Sequence, residues 1–237
     1  MATFSRRGLL AAAAALPLGG CLPPVYHTRY RLTLEVESPG GQFAGTSVFE
    51  QKAGVGVKGV VGRKVRGEAT FVDLGPHGNL VALLLGAHWD DAGQLAPGYG
   101  AWMVEGAFMR DPNNYYEAWE YGTGRSPILE TLARVDPSAP VELAPRLLPL
   151  LVHVRDPRDS RSVALVDPRD LAGEYGAGVR LRSARLQVTK DPMVSTIESR
   201  LPCVDAVTPG RKWQLIGPTG RRSFEMAWFK SNDWGPT

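Results

Sequence analysis

Cysteine is nearly missing from this chain of 237 residues: Cys21 and Cys203 are the only two. So few thiols exclude a disulfide-stapled scaffold and a zinc site built on several thiolates. Histidine is scarce too, with four residues, so a multi-imidazole centre would need almost all of them. No long hydrophobic run is present. The longest, Leu9–Leu18, is far below the roughly 20 residues that a membrane-spanning helix requires. G-x-S-x-G, H-E-x-x-H and Walker sequences do not occur, which removes the local patterns of the common hydrolases, zinc proteases and P-loop enzymes. Charge of one sign is also lacking. Setting aside residues 1–20, which hold Arg6 and Arg7, leaves 25 basic residues against 24 acidic ones. Nucleic-acid binding draws on counterion release at a basic face, so this balance argues against such a partner. Arg180, Arg182, Arg185, Arg211, Lys212, Arg221 and Arg222 are read as solvated strand faces.

What is present begins at the N-terminus. Ser5-Arg6-Arg7-Gly8-Leu9-Leu10 resembles a twin-arginine export motif, and the apolar run to Leu18 has the length of a signal-peptide core. Leu18-Gly19-Gly20-Cys21 follows and looks like a bacterial lipobox, where cleavage precedes the cysteine and the cysteine carries the acyl chains, palmitate among them. The expected organisation is a signal peptide at residues 1–20, a lipidated tether at 21–28 and a single globular domain at 29–237. Leu22, where an inner-membrane retention signal would have Asp, points by resemblance to the outer membrane. With Cys21 consumed as a thioether, Cys203 has no intrachain partner and is expected to be a half-buried structural thiol.

The globular part reads mainly as strands. Tyr30, Leu32, Leu34 and Val36 alternate with polar residues, Pro39-Gly40-Gly41 make a turn, and Thr46–Lys52 returns as the second strand of a hairpin. Lys64–Leu74 alternates as one strand. Asn79–Gly86 is a continuous apolar run, expected as a strand buried on both faces. Ile128–Val135, after Ser126-Pro127, is expected to be a helix. Leu150–Leu201 carries the densest pattern: strand, turn, strand, helical turn, long strand, helix. Asp-Pro recurs at Asp156-Pro157, Asp167-Pro168 and Asp191-Pro192 as a turn or helix-entry signal. In Val179–Val188 the apolar phase slips from odd to even positions, which predicts a bulge near Arg182-Ser183. Met193, Ile197 and Leu201 recur every four residues, predicting a helix after Asp191 that Pro202 stops. Lys212–Ile216 and Arg222–Phe229 form a closing hairpin around Gly217-Pro218-Thr219-Gly220. Hairpins at both ends, two or three short helices and no βαβ period predict an α+β fold, mainly antiparallel β, in one domain.

The runs LVHVRDPRDSRSVALVDPRDL and YGAGVRLRSARLQVTKDPMVSTIESRLP, with YRLTLEVESPGGQFAGTSVFE near the N-terminus, resemble a group of uncharacterised, mostly proteobacterial proteins. The resemblance implies a shared fold and supplies no catalytic residue.

Four stretches invite a functional reading. Gly54, Gly56 and Gly59 spell G-x-G-x-x-G, with Asp73 downstream at roughly the distance of a ribose-binding acid. That motif needs a strand bent into a helix whose N-terminus holds pyrophosphate. A strand follows here instead, so no nucleotide cofactor is expected. His88 with Asp90 or Asp91 has the residue types of a metal or acid–base site, with His153, Asp156 and Asp159 as its second half. Turn formers dominate both sets, and hydrogen-bonded loops are the expectation. Residues 97–125 read as a long aromatic loop, in which Tyr99, Trp102, Tyr115, Tyr116 and Trp119 are the candidate ligand-binding residues. No metal and no cofactor is expected. The leading expectation is a lipid-anchored, periplasm-facing envelope protein that binds or supports a partner without catalysis. Its partners would be the membrane, through the N-terminal lipid, and a cell-wall glycan or another envelope protein. One alternative is a glycan-binding module using the 99–121 aromatics. The other is a metal-assisted hydrolase using His88, Asp90 and Asp91.

Overall fold

The computed structural model describes residues 25–55, 61–84, 86–89, 95–98, 100–108, 136, 139–205, 212–217, 220–225 and 230–231. Arg6, Arg7, Cys21, Gly56, Gly59, Asp90, Asp91, Tyr99, Tyr115, Tyr116 and Trp119 lie outside the described residues, as does the expected helix Ile128–Val135.

The architecture is α+β and mainly antiparallel β, with a few short helices. Strands β1 (Val25–Ser38) and β2 (Gly41–Val55) form the long N-terminal hairpin, followed by β3 (Val61–Glu68), β4 (Thr70–Asp73), β5 (Asn79–Ala82), β6 (Gly86–Trp89) and β7 (Leu95–Gly98). Helix α1 (Gly100–Phe108) precedes β8 (Val141–Glu142), β9 (Leu151–Val154) and β10 (Val163–Val166). Then come α2 (Ala172–Tyr175), β11 (Arg180–Thr189), α3 (Ile197–Arg200), α4 (Pro202–Asp205), β12 (Lys212–Gly217), β13 (Gly220–Glu225) and β14 (Lys230–Ser231). One sheet has six strands in the order β14-β3-β2-β1-β11-β8, a second has four in the order β10-β9-β5-β4, and β6–β7 and β12–β13 are separate hairpins.

The alternation in β1 works as expected. Tyr30, Leu32, Leu34 and Val36 are buried, and with Phe49, Ala184 and Leu186 they form the inner face of the six-stranded sheet. This face packs on Val72, Leu80, Ala82 and Leu151 of the four-stranded sheet. The contact is close: a Cβ on Gly45 of β2 would stand 2.2 Å from the Phe71 carbonyl oxygen of β4, so only glycine fits there. Beside it Ser47 Oγ and Thr70 Oγ1 meet at 2.6 Å, satisfying two buried hydroxyls across the layers. The opposite face of the four-stranded sheet buries Val81, Leu83, Val152, Val154 and Val163 under Ile197, Leu201, Cys203 and Val204. The Asn79–Ala82 strand is therefore covered on both sides, as its unbroken apolar run implies.

The bulge appears where the phase slips. Glu35 pairs with Ser183 and Val36 with Leu181, so Arg182 is the extra residue. The two similar Asp-Pro-Arg turns are Asx turns, in which Asp156 Oδ1 accepts from Arg158 N and Asp167 Oδ1 from Arg169 N, each at 2.9 Å. Asp170 accepts from Gly173 N and starts the expected single turn α2.

Four expectations need correction. Lys64–Leu74 is two strands in two sheets. The chain leaves the first sheet after Gly67 and Glu68, where Gly67 has φ of 143° and a Cβ would strike Phe49. Within the expected loop 97–125, Gly100–Phe108 is helical. Its two glycines hid the signal, yet Met103 and Val104 are buried and Gly106 lets the helix approach Leu147, where a Cβ would stand 2.3 Å away. The helix expected from Asp191 starts only at Ile197, because residues before it are bound elsewhere, as described below. Cys203 is buried outright, at 2% exposure, rather than half-buried.

Candidate functional site

The richest polar cluster among the described residues gathers where β9 ends. His153 and Arg155 project from the β9 segment toward Glu174 of α2. His153 Nδ1 lies 2.8 Å from Glu174 Oε1, and Arg155 donates from Nε and Nη2 to the two carboxylate oxygens at 2.9 Å each. Burial pushes the Glu174 carboxyl up, but the hydrogen bonds from Arg155 and His153 outweigh it and hold the group below the usual glutamate range. The neighbouring Tyr175 ring meets His153 at a 43° tilt with centroids 5.0 Å apart, and its hydroxyl donates to the Asn79 carbonyl at 2.7 Å. Burial pushes that phenol strongly up, so it stays protonated as a donor. Asn79 in turn bonds both backbone groups of Val154, and His77 Nδ1 bonds the Tyr175 carbonyl at 3.1 Å.

A histidine held through Nδ1 by a carboxylate has the form of a general base. The other nitrogen decides whether it can act. Gly78 stands against Nε2 so closely that a Cβ there would be 2.7 Å away. The Gly78 backbone packs against that side of the ring. The cluster clamps α2 and the Gly75–His77 turn onto the four-stranded sheet. Asp156 and Asp159 do not join His153. Asp156 serves its own turn, and Asp159 is bound by the Arg161 guanidinium and amide. Among the described residues no group of three or more His, Cys, Asp and Glu side chains is placed to hold a metal. Of the His88, Asp90 and Asp91 set, only the His88 backbone is described, in β6. Trp102 lies on α1. In the glycine pattern, Gly54 pairs with Gly62 inside the β2–β3 ladder, and Gly56 and Gly59 lie outside the described residues.

The outward face of the six-stranded sheet is a ladder of ion pairs. Arg180 binds Glu37 at 2.9 Å, Arg185 and Ser183 bind Glu35, and Arg31 binds Asp191 and Gln187. Glu50 is nearly buried among His27 at 3.0 Å, Arg66 at 3.0 Å and Arg29 at 3.6 Å. Burial raises its carboxyl, and bonds from His27 and Arg66 with the charges of Arg66 and Arg29 more than reverse that. Arg180 and Arg185 are thus paired rather than part of an open basic patch.

Glu68 is the residue that sequence reasoning missed. Only 6% exposed, it accepts from Thr196 N at 2.7 Å, Thr196 Oγ1 at 2.9 Å and Ile197 N at 3.0 Å. It caps α3 from 128 residues away. No local spacing could announce that partnership. Cys203, donating its amide to Pro157 O at 2.9 Å, follows the capped helix in α4 and shares its buried face with Ile197 and Leu201. Burial pushes its thiol up to about 11, which makes it a poor nucleophile at neutral pH.

Comparison of the chain with protein-family models, with curated proteins and with solved structures finds no match.

Proposed function

We propose that this chain is a lipid-anchored envelope protein facing the periplasm, with an acylated Cys21 and a domain that binds or supports a partner rather than catalysing a reaction. The observation that carries the proposal is Leu18-Gly19-Gly20-Cys21 directly after the apolar run Leu9–Leu18 and the Arg6-Arg7 pair. The start of β1 at Val25 supports it, because ordered sheet begins four positions after the acceptor cysteine. A domain so placed stays at the lipid surface. The outer membrane is the proposed address, on the strength of Leu22.

The experiment is Cys21→Ser with intact-mass measurement and membrane fractionation. The wild-type protein should start at Cys21, carry acyl mass and sediment with membranes. The variant should lose both. Wild-type protein that is soluble and begins elsewhere would overturn the proposal.

A further inference from the structure

We propose that residues 190–194, together with the basic side chains around the first half of β1, form a surface that rests on anionic lipid headgroups. The inference deepens the lipoprotein reading and rests on it.

Residues 190–196 leave the end of β11 and cross the outward face of the six-stranded sheet toward Glu68. Both ends of this strap are fastened. At one end Asp191 N bonds Thr189 Oγ1 at 3.2 Å, the Asp191 carbonyl accepts from Arg29 Nη1 at 3.3 Å, and its carboxylate pairs with Arg31. At the other end Glu68 takes the Thr196 amide and hydroxyl. Between them Val194 stands 61% exposed, the sole large hydrophobic so exposed among the described residues, with Met193 beside it partly buried. A slack loop could turn such a side chain inward. A strap pinned at both ends holds it out, so its exposure is built in.

The surroundings are basic. Arg29, Arg31, Lys52, Arg66 and Lys190 outnumber the carboxylates Glu50, Glu68 and Asp191, which bind the strap or neighbouring arginines. An apolar tip amid cations complements a negatively charged interface, where headgroups meet the cations and the acyl boundary takes the apolar group.

The tether selects the occupant. From Cys21 to Val25 the chain spans four Cα steps, at most roughly 14 Å. Arg29, level with the start of the strap, lies four residues farther along β1, about 13 Å at strand rise. The anchor thus holds this part of the domain within reach of the bilayer. The far turn at Gly40, some fifteen residues from Val25, is about 50 Å along the hairpin.

The test uses the full lipidated protein carrying Val194→Cys, labelled with an environment-sensitive fluorophore. Cys203 is buried and Cys21 is acylated, so the new thiol takes the label. Gly40→Cys is the control at the opposite end of β1. Each is reconstituted into vesicles of phosphatidylcholine with phosphatidylglycerol, or of phosphatidylcholine alone. The label at 194 should shift to the blue and be quenched by brominated lipid in the phosphatidylglycerol vesicles only. High salt, or Lys52→Glu with Lys190→Glu, should abolish the effect, and the label at 40 should stay in water. Equal wetness at 194 and 40 in phosphatidylglycerol vesicles overturns the inference while intact acyl mass keeps the lipoprotein reading. So does shielding at 194 that ignores lipid charge and salt. Absence of acyl mass overturns both.

Discussion

Removing the Glu68 carboxylate should release the α3–α4 segment from the four-stranded sheet. Glu68→Ala deprives the Thr196 amide, the Thr196 hydroxyl and the Ile197 amide of their acceptor. Ile197 is fully buried, so its amide gains no water in exchange. A buried donor left unpaired costs about 1–3 kcal/mol. Thr196 is exposed and recovers part of its loss from solvent. The sum is about 2–4 kcal/mol against the closed segment.

Cys203 reports the opening. It lies on the buried face of this segment, 2% exposed, and the Cys203 amide is tied to Pro157 O. If thiol reagents reach it through local opening, its labelling rate follows the free energy of that opening. At 1.4 kcal/mol per tenfold, Glu68→Ala should label roughly 30- to 700-fold faster than the parent. The assay is labelling followed by intact mass, with urea unfolding alongside. Glu68→Gln, which keeps the shape and one good acceptor, should fall between. Unchanged labelling in Glu68→Ala, with global stability within about 0.5 kcal/mol of the parent, would refute the capping role.

Glu174 and Glu50 have folded carboxyl values held below the ordinary 4.5, so their stabilisation is complete above that value and lost as the pH falls through the lower folded ones; Glu174→Gln should flatten the acid limb of a urea-midpoint series, and an unchanged limb would contradict the clamp. Gly45→Ala forces a Cβ to 2.2 Å from the Phe71 carbonyl, and with backbone as the obstacle the cost should reach about 3 kcal/mol or more in chemical denaturation. The Cys203 thiol, raised by burial to about 11 from 9.0, contributes stability that is full below the ordinary value and lost as pH rises toward the folded one. Ultraviolet titration of thiolate in the folded protein should therefore show ionisation well above the ordinary value, and an ordinary midpoint would mean that the site opens freely.

Features with a local physical origin were readable in the sequence. The bulge at Arg182 follows from side-chain parity, because one extra residue is the cheapest way to return Ala184, Leu186 and Val188 to the core face. The two-faced burial of β5 follows from an apolar run with no polar side. The Asx turns follow from Asp two residues before a free amide. Features set by distant partners were not readable. Lys64–Leu74 has continuous alternation, but the chain changes sheets within it, and only the approach of Gly67 to Phe49 marks the crossing. Met193, Ile197 and Leu201 have helical spacing, yet Arg29 and Arg31 hold Asp191 while Glu68 fixes the helix start at Ile197. Periodicity correctly placed Ile197 and Leu201 in the core and misplaced the residues before them. His153 had an inviting Asp156 three residues away, but its carboxylate partner is Glu174 on another element.

Residues 190–204 work in both directions from one backbone. Outward, the strap displays Val194 between two fastened ends. Inward, the same segment continues into Ile197, Leu201, Cys203 and Val204, which cover the second face of the four-stranded sheet. Glu68 stands at the changeover, binding the last strap residue and the first helical one with a single carboxylate. Glu68 itself lies at the point where β3 leaves one sheet and the chain enters the other. With Cys203 a free thiol, no disulfide staples this segment, which is held by burial and polar contacts. The Glu68 cap supplies a directional hold that burial of Ile197 and Leu201 cannot, because apolar contacts tolerate sliding and a charge-assisted bond to two consecutive amides does not. That hold sets the register in which Val194 faces out and Ile197 faces in. The outward surface and the second core are therefore one structural unit, and whatever loosens the cap should disturb both.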